Sequence, residues 1–242
     1  MSGAKLILAI AIWLFVGALA YAASLQVQPA SLDVLAPGAA ATLTLRNEGP
    51  RPINVQIRVF HWSQIDGEDR LDPTEDVVAS PPAVTLEPNT DYVARVVRVA
   101  KQPVVAEEAY RLYVDELPEA TSSAGRTIRL LVRQSIPVFF AAPERSPAAV
   151  EWSVQKQAGQ TILSARNKGD SRLRISALSL RDKGGKTISF GKGLVGYALG
   201  HSTMRWPAPR GSGGLASSGS AEVSGQGNEG PIKAVAPILA GR

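Results

Sequence analysis

Alternation of apolar and polar residues is the feature that most constrains the fold of this chain. Residues 53–59 place isoleucine or valine at every second position, with asparagine, glutamine and arginine between them. This period of two is typical of a strand with one buried face. A shorter alternating run precedes it, and the turn-forming residues 47–50 separate the two runs. The pattern therefore predicts an antiparallel strand pair.

Similar alternation returns at residues 92–99 and 110–114, and Asp66 with Gly67 marks a further turn. Short strands at regular spacing, separated by glycine and proline, favour an immunoglobulin-like sandwich over a helical or α/β fold. Such a domain needs about 100 residues. The 242 residues therefore predict an all-β protein of two immunoglobulin-like β-sandwich domains.

Residues 126–140 form the longest alternating segment, and Pro137 near its end predicts a sheet edge or a bulge, because proline cannot donate to a ladder. The segment is open to two interpretations. It is either an ordinary central strand of the first sandwich or an edge strand that offers its side chains to another protein. Its length and Pro137 favour the edge strand. The apolar face carries Ile128, Leu130, Val132, Ile136, Val138 and Phe140.

The domain boundaries follow from composition. The first domain is expected at residues 23–142, and a proline-containing linker at 143–149. A smaller second β-sandwich is expected at 150–242, with strands near 150–154, 161–165, 173–180 and 187–190. Residues 210–230 are rich in glycine and serine. We interpret them as long loops around one weak strand near 221–224, followed by a closing strand after residue 233.

The N-terminus predicts export. Lys5 precedes an apolar run at residues 6–20, and the sequence Ala20-Tyr21-Ala22 provides a small-x-small cleavage site. The run is shorter than the roughly 20 residues that span a bilayer. We therefore expect a signal peptide at residues 1–22 rather than an uncleaved anchor. No other stretch is long and apolar enough for a span, so no stable membrane insertion is expected after cleavage.

Composition argues against several classes of function. The chain has no cysteine, and its two histidines are far apart in the sequence, so cysteine chemistry is impossible and no metal or other cofactor is expected. The net charge of +5 is modest, and the arginines occur singly, which argues against nucleic-acid binding. No nucleophile, base and oxyanion donors converge in the sequence, so an enzyme is not expected.

Several sequence blocks resemble the periplasmic pilus-assembly chaperones of the chaperone-usher pathway. In the first domain they are residues 79–82, 86–88, 92–99, 110–118 and 135–139; the second domain contributes 167–169, 193–197 and Trp206. Among the branches of this family, the chain is most similar to the archaic one that serves spore-coat-type and sigma fimbriae.

The resemblance implies two immunoglobulin-like domains set at an angle, located in the periplasm, that bind pilus subunits and hand them to an outer-membrane usher. Subunits of this system lack one strand, and the chaperone fills their groove by donor-strand complementation. Transferred to this sequence, the subunit-binding residues on the long strand are Ile128, Leu130, Val132 and Ile136.

The better-known branch of the family holds the terminal carboxylate of the subunit with an arginine on the first strand and a lysine on the last, but Ser31 and Pro137 occupy those positions here. The anchor is therefore missing or relocated. Because a carboxylate favours an arginine fork, the candidates are four arginines on neighbouring strands. They are Arg95, Arg98, Arg111 and Arg133.

The resemblance further implies that Arg95 pairs with Glu107 or Glu108 to order the domain, and that residues 80–82 contain a cis peptide bond.

Two other functions stay open from sequence. One is an exported pilus subunit or adhesin, although subunits are usually single incomplete sandwiches. The other is a glycan-binding β-sandwich, which would need aromatic residues on one sheet face; Trp62, Trp152 and Trp206 are spread along the sequence. An exported hydrolase ranks last because the chain lacks suitable residues.

Overall fold

The computed structural model describes residues 25–118, 130–157, 159–215 and 218–239. Within these ranges the chain forms strands and no helix, so the predicted all-β class is confirmed. None of the described segments is a helix that could span a membrane. The signal peptide predicted for residues 1–22 lies outside the described residues.

Among the described residues, ten strands precede residue 142 and form two sheets. The first sheet has the order β1-β3-β8-β6, and the second has the order β2-β10-β9-β4-β5, with β7 paired to β4. The strands are β1 (Leu25–Gln28), β2 (Leu32–Leu35), β3 (Ala40–Asn47), β4 (Ile53–Ile65), β5 (Glu68–Pro73), β6 (Val77–Ser80), β7 (Ala83–Leu86), β8 (Asp91–Arg98), β9 (Glu107–Leu117) and β10 (Arg133–Ala141).

The inward side chains of these two sheets form one apolar core. Strand β4 contributes Val55 and Ile57, as its alternation predicts, and the neighbouring β9 contributes Leu112 and Val114, with Val114 directly opposite Ile57. All four are almost completely buried. The Ser80–Pro81 bond, between β6 and β7, is cis as expected.

Strand β10 is shorter than predicted. It begins at Arg133 rather than at residue 126. The preceding residues 130–132 belong to no strand, and residues 126–129 lie outside the described residues. All of β10 pairs with β9 on one side, whereas on the other side β10 pairs with β2 only from Val138 onward. Pro137 therefore lies where pairing changes from one side to two, which suits a residue that has no N–H to donate.

Eight further strands form one sheet in the second domain, with the order β14-β13-β17-β18-β11-β12-β16 and β15 paired to β13. Its inward residues make a separate core, which includes the neighbouring rings of Trp152 and Trp206. The strands are β11 (Val150–Gln157), β12 (Gln160–Asn167), β13 (Leu173–Asp182), β14 (Thr187–Ser189), β15 (Leu194–Ala198), β16 (Thr203–Pro207), β17 (Gly219–Gln226) and β18 (Pro231–Leu239).

The Gly/Ser-rich stretch contains an interior strand rather than a weak one. Strand β17 pairs with β13 on one side and with β18 on the other, and it buries Ala221 and Val223. The expectation of a short strand near 221–224 thus placed the element correctly but underestimated its length and its role in the sheet.

Candidate functional site

The first half of β10 has a free edge. Residues 133–137 pair with β9 on one side, and no described strand pairs with them on the other. On the paired side, contact with β9 continues one residue before β10 begins, since the Glu116 amide donates to the Val132 carbonyl at 2.9 Å. We use "free edge" for residues 130–137. An exposed edge of this kind can accept a strand from another chain.

The four predicted donor side chains do not share one environment. Ile136 is 5% exposed and belongs to the core of its own domain, so its assignment as a residue offered to a partner is corrected: burial leaves no surface for a partner to contact. Leu130 is 88% exposed and Val132 is partly exposed. Ile128 lies outside the described residues. The even-numbered positions therefore pass from a closed core at Ile136 to solvent at Leu130.

Arg133, the first residue of β10, is already paired. It donates to Asp115, and Arg58 donates to the same carboxylate at 2.6 Å. Asp115 is buried. Its burial opposes ionisation, but the hydrogen bonds from Arg133 and Arg58 outweigh burial and hold the pKa of Asp115 below its usual value. The guanidinium of Arg133 also lies 4.8 Å from the ring centroid of Tyr113.

Arg98 has an acidic partner, whereas Arg95 has none among the described residues. Arg98 makes two hydrogen bonds to Glu108, at 2.7 and 2.8 Å, and this pairing raises the pKa of Arg98. Arg95 is exposed, with no ion pair among the described residues. The ordering pair expected between Arg95 and Glu107 or Glu108 is therefore made by Arg98. Arg98 is three positions after Arg95, and an odd spacing on a strand points the two side chains to opposite faces of β8.

Arg111 is partly buried and, unlike Arg98 and Arg133, has no acidic hydrogen-bond partner within the described residues. Its guanidinium carbon lies 3.7 Å from the ring centroid of Trp62 and 5.6 Å from that of Tyr197. Burial lowers the pKa of Arg111. An arginine nevertheless stays protonated at physiological pH, so the site is a partly desolvated cation, which favours a carboxylate ligand.

Aromatic rings from both domains surround this cation. Trp62 and Phe139 lie on the outer face of the second sheet, and Tyr197 reaches them from β15 of the second domain. The ring centroids of Trp62 and Tyr197 are 5.3 Å apart in an edge-to-face arrangement. Trp62 also donates through Nε1 to Asp69 at 2.9 Å. The cleft between the domains is therefore lined by aromatic rings, and the guanidinium of Arg111 lies against two of them.

Arg172 is a cleft residue that sequence reasoning missed. It precedes β13, donates to Glu107 at 2.7 Å and to Asp33, and its guanidinium carbon lies 3.5 Å from the ring centroid of Phe139. Glu107 and Asp33 belong to the first domain, so one side chain connects two domains. Nothing in the sequence indicated this role, because the partners of Arg172 are 65 and 139 residues away from it along the chain.

Other kinds of site find little support in the described residues. They contain no cluster of three or more potential metal ligands. Trp62, Trp152 and Trp206 are 2%, 6% and 8% exposed. Because these side chains are buried, they offer no aromatic platform for a sugar.

Comparisons with known proteins agree with this architecture. The family model for "Pili and flagellar-assembly chaperone, PapD N-terminal domain" matches residues 24–146. The comparison with curated proteins gave no match.

Among solved structures, the chain is similar to the CsuC-CsuE chaperone-tip adhesion subunit pre-assembly complex from archaic chaperone-usher Csu pili of Acinetobacter baumannii. The identity is 25% and the TM-score 0.69, over 90% of this chain and 100% of that chain.

Two more distant structures share the fold. The Salmonella enterica SafB chaperone, solved in complex with SafA pilin, has 19% identity and a TM-score of 0.61, over 88% of this chain and 96% of that chain. The E. coli chaperone DraB has 21% identity and a TM-score of 0.57, over 87% of this chain and 98% of that chain.

Proposed function

This chain belongs to the family of pili and flagellar-assembly chaperones, and from that premise we propose that it binds pilus subunits by donor-strand complementation at the free edge of β10. The observation that carries the proposal is the change of environment along the even-numbered residues. Ile136 closes the chaperone's own core, while Leu130 on the same edge is 88% exposed.

This arrangement suits a subunit whose sheet lacks one strand. The backbone groups of residues 130–137 supply ladder hydrogen bonds, and Leu130 and Val132 fill pockets in the subunit's groove. Each aliphatic side chain contributes on the order of 1.5 to 3 kcal/mol when it is buried. Along this one edge, Ile136 then packs in the chaperone's core, while Leu130 and Val132 pack in the subunit's core.

Strand β2 sets the end of the incoming strand. It occupies the edge of β10 from Val138, so an added strand must stop beside Pro137. In the register of β9 and β10, Pro137 is opposite Arg111. A subunit strand that runs parallel to β10 therefore brings its terminal carboxylate to the level of Arg111. We assign the carboxylate anchor to Arg111 and not to Arg95, Arg98 or Arg133.

The remainder of the proposal follows from family membership. The chain acts in the periplasm after removal of residues 1–22, and it passes bound subunits to an outer-membrane usher. It performs this work by binding rather than by catalysis.

The first test concerns the donor residues. Leu130→Asp and Val132→Asp should each abolish the soluble complex when the chain is co-expressed with a pilus subunit from the same genome, because a carboxylate cannot enter an apolar groove without a large desolvation cost. Val105→Asp is the matched control, since Val105 is 80% exposed and lies in a loop away from the edge. Complex formation is measured by co-purification from the periplasm.

Leu130 contacts little of its own domain, so Leu130→Asp should leave the thermal unfolding of the free chaperone unchanged. Full recovery of complex by both donor variants would refute the proposed edge.

The second test concerns the anchor. Arg111→Met keeps an apolar stem on Trp62 but removes the charge. It should weaken subunit binding about 10- to 100-fold, the equivalent of losing hydrogen bonds to a charged group. Arg95→Met removes an exposed arginine that has no ion pair among the described residues and serves as the control. Equal affinities of the two variants in calorimetric titration with a subunit would contradict the assignment.

A further inference from the structure

Gln64, near the end of β4, connects the first domain to the second. Its Oε1 accepts hydrogen bonds from the Leu199 amide at 2.9 Å and from the Ser202 hydroxyl at 2.8 Å. Its Nε2 donates to the Tyr197 carbonyl and to Asp69, both at 2.9 Å. A primary amide has two donor hydrogens and two acceptor lone pairs. All four are used here, three of them across the domain boundary.

The hairpin that follows Gln64 reinforces this contact. Gly67 at its tip forms an isolated bridge with Met204, and the Arg205 amide donates to the Gly67 carbonyl at 3.1 Å. Gly67 has a φ of 86°, and a Cβ there would lie 2.6 Å from the side chain of Arg205. The tip of the β4–β5 hairpin thus packs directly against β16 of the second domain.

The segment held by Gln64 carries one wall of the cleft. The backbone carbonyl of Tyr197 accepts the hydrogen bond from Gln64. The ring centroid of Tyr197 lies 5.3 Å from that of Trp62 and 5.9 Å from that of Phe139. The guanidinium of Arg111 lies close to both Trp62 and Tyr197. The surroundings of the cation therefore depend on where the second domain is placed.

We propose that Gln64 is a positioning residue that fixes the second domain over Arg111, so that carboxylate binding at Arg111 is coupled to the relative orientation of the two domains. The coupling rests on the function proposed above for Arg111, whereas the positioning role does not. Because coupling between two equilibria is reciprocal, a bound carboxylate should in turn stabilise the domain arrangement that Gln64 holds.

The matched control is Gln56. It lies on the same strand and in the same phase as Gln64, is exposed, and makes no side-chain hydrogen bond within the described residues. Gln64→Ala and Gln56→Ala therefore remove the same chemical group from one face of β4. Gln64→Glu adds a variant of nearly unchanged size that replaces the donor to the Tyr197 carbonyl with an oxygen.

The experiment measures two quantities by NMR on the whole chain. Residual dipolar couplings of backbone amides report the orientation of the two domains. Titration with N-acetylglycine, followed at the Arg111 Nε–H group, reports carboxylate affinity, and N-acetylglycinamide is the uncharged control probe. We expect both Gln64 variants to change the domain orientation and to weaken N-acetylglycine binding about fivefold or more, the lower end of typical coupling. Gln56→Ala should change neither.

Three outcomes are decisive. An unchanged domain orientation in both Gln64 variants would overturn the positioning role. A changed orientation with wild-type affinity for N-acetylglycine would overturn the coupling. If N-acetylglycine does not perturb Arg111 in the wild-type chain, the anchor and the coupling both fail, and the dipolar couplings still decide whether Gln64 positions the domains.

Discussion

Two buried asparagines show how single residues shape this chain. Asn47 and Asn167 each end a strand, and each accepts a hydrogen bond from the amide of the glycine two positions later, Gly49 or Gly169. Both are essentially unexposed, and both donate to two backbone carbonyls. In the second domain this turn lies against the linker, where a Cβ on Gly169 would meet the Pro147 carbonyl at 1.9 Å. The turn and the linker are therefore packed without room for a side chain.

Asp115 leads to a prediction about pH. The pKa of its carboxyl group is lowered in the folded state, so its stabilising contribution is present at neutral pH. That contribution is lost as the pH falls from about 4, the unfolded value, through the lowered folded-state pKa. Asp115→Asn should cost about 1–3 kcal/mol at pH 7 and make urea stability less sensitive to acid than in the wild type.

The matched control for Asp115 is Asp91. Its ion pair with Arg46 is exposed, and exposed pairs contribute little. Asp91→Asn should therefore leave both the stability and its pH dependence close to those of the wild type. If Asp115→Asn loses stability between pH 7 and pH 3 as steeply as the wild type does, the ion pairs of Asp115 with Arg58 and Arg133 are not the source of the effect.

At the scale of elements, alternation predicted the long strands of the first domain well. Strand β4 follows the predicted alternation where Val55 and Ile57 are buried, and it continues to Ile65, beyond the predicted residues 53–59. Strands β1 and β2 have four residues each, too few for a pattern to be recognised. The start of β10 was misplaced because alternation continues past the last pairing partner, and a pattern cannot show where a neighbouring strand ends.

The candidate site was less accessible to sequence than the fold. Four arginines were equivalent as sequence candidates, and the surroundings of their side chains separate them. Arg95 is exposed and makes no ion pair within the described residues. Arg98 meets Glu108 and Arg133 meets Asp115, whereas Arg111 meets aromatic rings. Gln64 gave no signal, because its partners in the second domain lie 133 to 138 residues away.

Strand β17 provides a prediction at this scale. Composition suggests loops in this stretch, yet Val223 is 2% exposed between β13 and β18. Val223→Asp buries a charge and should destabilise the second domain by more than about 3 kcal/mol. Val235→Asp is the control, since Val235 lies on the adjacent β18 and is 64% exposed. Similar melting temperatures for both variants in circular dichroism would show that β17 is not an interior strand in solution.

At the scale of the whole molecule, the interface between the domains is of mixed chemistry. It combines an aromatic cluster, the hydrogen bonds of Gln64 and the ion pairs of Arg172. Interfaces of this kind within one chain permit relative motion unless specific contacts restrain it. The free edge and Arg111 both belong to the first domain, whereas Tyr197 comes from the second. Domain orientation is therefore expected to affect the proposed anchor more than the proposed donor residues.

Arg172 should set how strongly the two domains depend on one another. Its side chain is 16% exposed and bridges Glu107, whose side chain is 3% exposed, and Asp33. Arg172→Met keeps an apolar contact with Phe139 but leaves the buried carboxylate of Glu107 without this partner. Losing one member of a buried pair costs about 3–5 kcal/mol, and the cost falls on the interface. We expect calorimetric unfolding to change from one transition to two.

Arg174→Met is the control for this last prediction, because Arg174 is exposed and its side chain makes no hydrogen bond within the described residues. It should retain a single transition. Two transitions already in the wild type would mean that Arg172 does not couple the unfolding of the domains. If Arg172→Met separates the transitions while Leu130→Asp does not, the donor edge and the interdomain contact are energetically independent, as their positions on opposite ends of β10 require.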